Sequence, residues 1–327
     1  MGLRLKCINT YSTDPYRNLA FEEYMLDNIE EGECLLYLWQ NRRTVVIGKN
    51  QNAFKECKVS ELEADGGFLA RRPSGGGAVY HDNGNLNFTF ITTERNYDVD
   101  KQLSVIVEAV NSFGIRAEKT GRNDICVDER KFSGNAFLIK GNKRYHHGTI
   151  LVDVDMSQLS RYLNVDAKKL RSKGVDSVKS RVINLKALND EVTIDGMRRA
   201  LAAAFDKVYG GKSEEIKEDL IDNADVDALK EKYASEEWKF GKHIKADLEL
   251  GDKFPWGDIS MQLAIRGRAI EDIRVFTDSM DTDVAAKIEA ALLGERLAKD
   301  NLISKLHSCG LGQVARDLSR LITESEI

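Results

Sequence analysis

The sequence predicts an α/β (α+β) protein in two parts, and three features predict it. Short runs in which apolar residues alternate with polar ones, such as Leu3 to Ile8 and Leu86 to Ile91, are interleaved with stretches whose apolar residues recur at helical spacing. Near residue 245 the pattern changes, and three strand-like runs in close succession are followed only by helical ones. The 327 residues, 42% of them hydrophobic, are ample for packed cores in about two domains. The expected division is residues 1–245 and a small α+β domain over 246–327.

Each element has a local reason. Leu3 to Ile8 alternates as a strand does, and Asp14-Pro15 then offers an N-cap and a first helical position. Phe21, Met25 and Ile29 give the following helix one packed face, with Glu22 and Glu23 as an acidic strip near its start. Leu35 to Trp39 and Thr44 to Ile47 read as two strands of a hairpin around Gln40-Asn41-Arg42-Arg43. In Leu86 to Ile91, Leu86, Phe88 and Phe90 fall on one face and Asn87 and Thr89 on the other. Leu103, Ile106, Val107, Val110 and Phe113 mark a helix that ends at Gly114.

Ile125-Cys126-Val127 is a short strand, Asp128 to Lys131 a turn, and Ile150 to Val154 another strand. Lys168, Lys169, Arg171, Lys173, Lys179 and Arg181 form the most basic stretch. Met197, Leu201, Ala204, Phe205 and Val208 make an amphipathic helix stopped by Gly210-Gly211, and Glu214 to Tyr233 reads as acidic and helical. Strands follow at Asp247 to Leu250, Ile259 to Ile265 and Ile270 to Phe276, then helices at Val284 to Leu292 and Asp300 to Ile322.

Composition excludes several classes. With 48 basic against 53 acidic residues, no global basic field points to nucleic acid or an anionic membrane. The five cysteines are scattered and never form C-x-x-C, which argues against a disulfide framework and a zinc site and fits a reducing cytoplasm. The N-terminus lacks the apolar segment of a secretory signal, and no run approaches the roughly 18 apolar residues of a membrane span.

The stretch Arg71 to Ile91 concentrates what anion chemistry needs. Two arginines precede Gly75-Gly76-Gly77, whose backbone can present consecutive N–H groups to a phosphate while a guanidinium neutralises it in a bidentate way. A plain glycine-rich turn would not need the Ser, His, Asp and Asn that accompany it. Other apparent motifs fail. Gly211-Lys212-Ser213 lacks the first P-loop glycine, which would fall at Asp206 inside a helix. Gly310 to Ala315 matches G-x-G-x-x-A with too little chain after it for a βαβ unit, so it reads as a helix linker. His146 and His147 are adjacent on a strand and should point to opposite faces, one packed and one polar.

At Arg71-Arg72-Pro73-Ser74-Gly75-Gly76-Gly77-Ala78-Val79-Tyr80-His81-Asp82 the sequence resembles the lipoate-protein ligase family. Asn18 to Glu23, Gly121 to Asp124, Lys131 to Ala136, His146 to Thr149, Lys173 to Ser177, Ser180 to Val182, Asn184-Leu185 and Val275 to Ser279 continue the likeness in order along nearly the whole chain. Two departures, Pro73 where Ser or Thr is more usual and a short turn at Asp128 to Arg130, remove no group with a chemical role.

The resemblance implies a biotin/lipoate ligase-like fold, a central mixed β-sheet flanked by helices, with the accessory C-terminal domain of the longer members. It implies lipoate as substrate with ATP and Mg²⁺. Lipoate would be activated to lipoyl-AMP and passed to a lysine of apo lipoyl domains of 2-oxoacid dehydrogenase E2 subunits or of the glycine-cleavage H protein. A monomer with no nucleic-acid or membrane partner is expected. By resemblance Lys131 is the catalytic group; a carboxylate and a triphosphate repel each other, and a compact point charge can bridge them. Arg72, Gly75, Gly76, Gly77, Ala78, Val79, Tyr80, Asn123, Asp124 and Lys131 would hold the nucleotide, with Asp124 also on the Mg²⁺ side. Leu19, Arg71, Ser74, His81, Asn85, Lys131, Gly134, Ala136 and His147 would line the lipoyl site. The basic stretch 168–181 would fold over the adenylate.

Two other functions fit parts of the sequence. An ATP-independent octanoyl or lipoyl transferase needs a nucleophilic thiol near the lysine; Cys126 alone is close, and its place between Ile125 and Val127 reads as core. A non-catalytic lipoyl-AMP binding protein would keep the site and lose transfer.

Overall fold

The computed structural model describes residues 2–120, 124–164, 182–218, 221 and 223–327. The chain divides into two compact units. One is made of Met1–Val46, Cys57–Ala70 and Val79–Ser235, the other of Ile47–Glu56, Arg71–Ala78 and Glu236–Ile327.

The first unit is built on strands β1 (Arg4–Asn9), β2 (Glu33–Trp39), β3 (Thr44–Ile47), β4 (Phe68–Arg71), β5 (Val79–His81), β6 (Asn85–Thr93), β7 (Glu118–Thr120), β8 (Asp124–Val127), β9 (Arg130–Lys140), β10 (Lys143–Leu151) and β11 (Glu214–Ile216), of which only the last residues of β3 and β4, Ile47 and Arg71, are assigned to the second unit. Among the described residues one large sheet has the order β11-β1-β2-β6-β10-β9-β8-β7. Strand β1 runs parallel to β2 and β11 and the other pairs are antiparallel, so the sheet is mixed as expected.

The alternation of β6 decides what covers each face. Leu86, Phe88 and Phe90 join Leu36, Leu38 and Ile150 in one apolar cluster with Val105, Ile106, Leu201 and Phe205 of the helices Val99–Asn111 and Ile194–Tyr209. The opposite face carries Tyr37, Trp39, Asn87, Thr89, His147 and Thr149. It lies under the helix Pro15–Asn28, whose Glu22 bonds to Thr89 and His147. Asp14 caps that helix by accepting the N–H groups of Tyr16 and Arg17 at 2.9 and 3.3 Å. Gly210 ends the helix Ile194–Tyr209 in the left-handed region at φ 72°.

Two expectations are corrected. Strands β2 and β3 form no hairpin, because β2 lies between β1 and β6 while β3 joins β4 and β5 in a separate small sheet. The intervening residues are claimed elsewhere: Arg42 N–H donates to the Thr13 carbonyl at 3.1 Å, and Asn18 Nδ2 donates to the Gln40 carbonyl and to Asn41 Oδ1 at 2.7 and 3.0 Å. Nor is Glu214 to Tyr233 helical throughout. Glu214–Ile216 extends the open edge of β1 in parallel, and a helix begins only at Asn223.

In the second unit β12 (Leu248–Phe254), β13 (Gly257–Arg266) and β14 (Ala269–Thr277) form an antiparallel meander. Its apolar face, including Leu250, Met261 and Val275, packs on Ile288, Leu306 and Leu318 of the helices Val284–Leu292, Lys299–Ser308 and Gln313–Glu324. The last two helices are separated at Gly310 and Gly312, both at positive φ, so this segment is the linker its glycines suggested and Asp300 to Ile322 is interrupted. Among the described residues no helix is long and apolar enough to cross a membrane.

Candidate active site

The hairpin β8–β9 places the lysine segment. Asp128 and Glu129 turn the chain at φ 48° and 61°, and Arg130 already lies in β9, so the turn is tighter than the sequence suggested. Asp124 then pairs with Gly134 and Ile125 with Ser133, but Cys126 pairs with Lys131, a register shift that leaves Phe132 without a counterpart. A bulge of this kind re-aims a side chain. Residues 131 and 134 would otherwise face opposite sides of the sheet; the bulge puts both on the face of Asp124. Lys131 arches over Gly134 and its Nζ sits 2.7 Å from Asp124 Oδ1, with both side chains a little over a third exposed.

Cys126 is buried as expected, but on the site's face rather than in the apolar cluster. Ile125 and Val127 point into that cluster, whereas the Cys126 Sγ lies 2.9 Å from Thr120 Oγ1. Strand alternation is the reason.

Beside the hairpin runs a largely buried polar row. Trp39, Asn87 and Thr149 are directly opposite one another on β2, β6 and β10, and Thr149 Oγ1 accepts the Gly134 N–H at 3.3 Å. One step along, Tyr37, Thr89, His147 and Ala136 form a parallel row. Trp39 Nε1 donates to Thr89 Oγ1 at 3.0 Å, the Thr89 hydroxyl to Glu22 Oε1 at 2.7 Å, and His147 Nδ1 lies 2.9 Å from the same oxygen. His81, also buried, has its Nδ1 3.2 Å from Asn41 Nδ2, and its ring stands edge-on to Trp39. Tyr80 is buried beside Tyr162, and burial raises its phenol to about 12.

His146 points the other way, as its alternation with His147 predicts. Its Nδ1 lies 3.0 Å from Gln102 Oε1 and its Nε2 2.8 Å from Asn135 Oδ1. Complete burial holds its pKa down to about 3, so the neutral ring carries one proton and one of the two amides must turn its NH₂ toward it.

The glycine segment belongs to the second unit. Arg71 donates through Nη1 to the carbonyls of Gly48, Lys49 and Gln51 at 3.1, 2.9 and 2.7 Å, and through Nη2 to Lys239 O at 2.6 Å. Its Nε is shared between Trp238 O and Lys239 O, both at 3.0 Å. Burial and the nearby Arg274 lower its pKa to about 10, which leaves it charged at neutral pH. Arg72 folds back on its own loop, reaching Ser74 Oγ at 3.1 Å and the carbonyls of Gly75 and Gly77 at 2.7 and 2.8 Å. Gly75 packs so closely on Ser279 and Met280 that a Cβ there would lie 2.9 Å from Met280 Cα.

Of the expected site residues, the first unit brings together Asp124, Lys131, Gly134, Ala136, His147 and Asn85 on one face of the sheet, with Leu19 on the helix above it. Val79, Tyr80 and His81 lie on β5, while Arg71, Arg72, Ser74, Gly75, Gly76, Gly77 and Ala78 lie in the second unit. Asn123 and the basic stretch 168–181 lie outside the described residues.

The residues over 14–206 match the family model described as the lipoyl protein ligase A/B catalytic domain, and 243–322 match the bacterial lipoate protein ligase C-terminus. The chain belongs to the lipoate-protein ligase family. A relative from Blochmanniella floridana, lipoate-protein ligase A, is 36% identical over 93% of this chain and 92% of its own length. Among solved structures, P. falciparum LipL1 in complex with lipoate superposes with a TM-score of 0.86 at 26% identity over 98% of this chain and all of that one. A lipoate-protein ligase A bound with ATP gives 0.63 at 27% identity, covering 74% of this chain and 99% of its own. The bi-partite lipoate protein ligase of Thermoplasma acidophilum, solved with its E2 lipoyl domain, gives 0.65 at 28% identity over 76% of this chain and all of that one.

Trp39, Asn87, Thr89 and Thr149 also stand in these polar rows and were not among the expected site residues, although Asn87 and Thr89 were legible as the polar face of their strand. The alternation of β6 and β10 carried the signal for Asn87 and Thr149, two residues from Asn85 and His147; Thr89 was legible only as polar-face and Trp39 on β2 had no such marker. Among the described residues no group of three metal-ligating side chains occurs. A single partly exposed carboxylate at Asp124 does suit an ion held chiefly by substrate phosphates and water.

Proposed function

We propose that this family member activates lipoate with ATP to lipoyl-AMP, then transfers the lipoyl group to a protein lysine, and that Lys131 is its catalytic cation. The observation that carries the role of Lys131 is its path over Gly134 to Asp124, at the end of a largely buried polar row. Asp124 orients the ammonium. Lys131 then offsets charge on the lipoate carboxylate and on the α-phosphate, letting one carboxylate oxygen attack phosphorus as pyrophosphate leaves. Asp124 would also hold Mg²⁺ beside the phosphates; when bound, that ion neutralises part of their charge. The glycine segment keeps its part as phosphate cradle on the chemistry of its residues. Arg72, whose guanidinium now donates to the carbonyls of Gly75 and Gly77, would have to let go of them to reach a phosphate.

The acceptor we assign is a lipoyl domain, a reading supported by the Thermoplasma acidophilum ligase and its E2 lipoyl domain. The test is incubation of the purified protein with lipoate, Mg-ATP and either an apo lipoyl domain or an apo H protein, followed by mass spectrometry. Lipoyl-AMP and a lipoylated lysine support the reading. Transfer between carrier proteins without ATP would contradict it and return attention to Cys126.

A further inference from the structure

Asn87 stands on β6 opposite Thr149 of β10 and Trp39 of β2, on the polar face of the sheet. It is 1% exposed, and Asn85, two residues earlier on the same face, is fully buried. Asn85 Nδ2 donates to Asn87 Oδ1 at 2.9 Å. That bond uses one half of each amide, and among the described residues Asn87 Nδ2 and Asn85 Oδ1 have no hydrogen-bond partner. A buried N–H without an acceptor is uncommon and calls for a partner from outside the fold.

The chemistry of that partner follows from the neighbours. Thr149 lies between Asn87 and Gly134, and the Cβ direction of Gly134 leads to Lys131 Nζ at 2.9 Å and to Thr149 Oγ1 at 3.9 Å. Lys131, Thr149 and Asn87 therefore follow one another across β9, β10 and β6, at strand spacings of about 4.8 Å. An anion set between the first and third meets a cation on one side and a neutral N–H donor on the other. Turning both amides over would present an oxygen there instead, which a carboxylate would reject.

We propose that Asn87 is a further catalytic residue of the ligase, donating Nδ2–H to the carboxylate of lipoate on the side opposite Lys131, with Asn85 as its positioning residue. This rests on the ligase reading above. One carboxylate oxygen forms the bond to the α-phosphorus as the bond to pyrophosphate breaks; the other stays on Asn87 as the acyl carbonyl oxygen. When the acceptor amine attacks the acyl carbon, that oxygen carries the negative charge. The charge returns to the carbonyl as the C–O bond to AMP breaks and the amine proton leaves to solvent.

The test compares the full-length wild type with Asn87→Asp and Asn87→Ala by calorimetric binding of lipoate and of lipoamide, its neutral amide, and by lipoate-dependent pyrophosphate exchange. Aspartate is isosteric and still accepts from Asn85, so this variant should fold, which near-ultraviolet circular dichroism checks. Lipoate binding is expected to fall roughly hundredfold in Asn87→Asp and roughly tenfold in Asn87→Ala, while lipoamide, whose neutral carbonyl accepts a weaker bond and whose NH₂ can turn to the aspartate, loses no more than a few fold in either. Equal weakening of both ligands, or of neither, in an otherwise active protein overturns the assignment of Asn87 alone. A wild type that neither binds lipoate nor exchanges pyrophosphate overturns the ligase reading itself.

Discussion

Gly134 occupies the point over which Lys131 must pass: a Cβ at 134 would sit 2.9 Å from both Cε and Nζ of the lysine. Any side chain there forces the ammonium away from Asp124, to which it is bonded at 2.7 Å. Gly134→Ala is therefore expected to lower lipoate-dependent pyrophosphate exchange by about 10²–10³, as loss of a charge-stabilising group does. The thermal unfolding midpoint should hardly move, since Gly134 is not at positive φ. Exchange at the wild-type rate would show that the path of Lys131 is unimportant.

Gly84 makes the opposite prediction. A Cβ there would run into the Asp153 carbonyl and lie 2.6 Å from Val154 N, backbone that cannot swing aside. The Gly84 carbonyl also accepts the N–H groups of Val152 and Asp153 at 3.0 and 2.9 Å. Gly84→Ala should cost about 3 kcal/mol, as overpacking does, read from the urea midpoint at unchanged slope.

Arg71 crosslinks residues 48–51 to 238–239 through carbonyls only. Lysine has one nitrogen for the work of three. Arg71→Lys should speed amide hydrogen exchange in both segments by roughly tenfold or more, because the carbonyls lose charge-assisted bonds. Unchanged protection would mean that the clamp is redundant.

His146 gives a pH dependence whose sign can be worked out. Its folded pKa of about 3 lies below the ordinary value of 6.5, so between these the unfolded chain binds the extra proton. Stability from this group is complete above 6.5 and falls as pH drops toward 3, by about 1.4 kcal/mol per unit once below 6.5. Denaturant midpoints at pH 7 and pH 5 should show a loss that His146→Gln reduces. An equal loss in both would place the sensitivity elsewhere.

How much could be read in advance depended on distance along the chain. Pro15, Gly210 and the Leu86–Phe88–Phe90 alternation act on their immediate neighbours, and the structure keeps all three signals. Glu22 read only as part of an acidic strip. It is buried because Thr89 and His147, 67 and 125 residues away, supply its donors. The β2–β3 hairpin failed for the same reason, its residues being held by Thr13 and Asn18 of an earlier segment. Lys131 was legible as a residue, but not the bulge that aims it. A register shift depends on both strands at once, and neither sequence alone marks it.

The proposed activation step turns on Lys131. The most direct measurement is lipoate-dependent exchange of labelled pyrophosphate into ATP by the wild type and by Lys131→Ala at saturating substrates. Robust exchange is expected from the wild type and a loss of about 10²–10³ from the variant, with lipoate still bound. A Lys131→Ala protein that exchanges pyrophosphate as fast as the wild type would contradict that role.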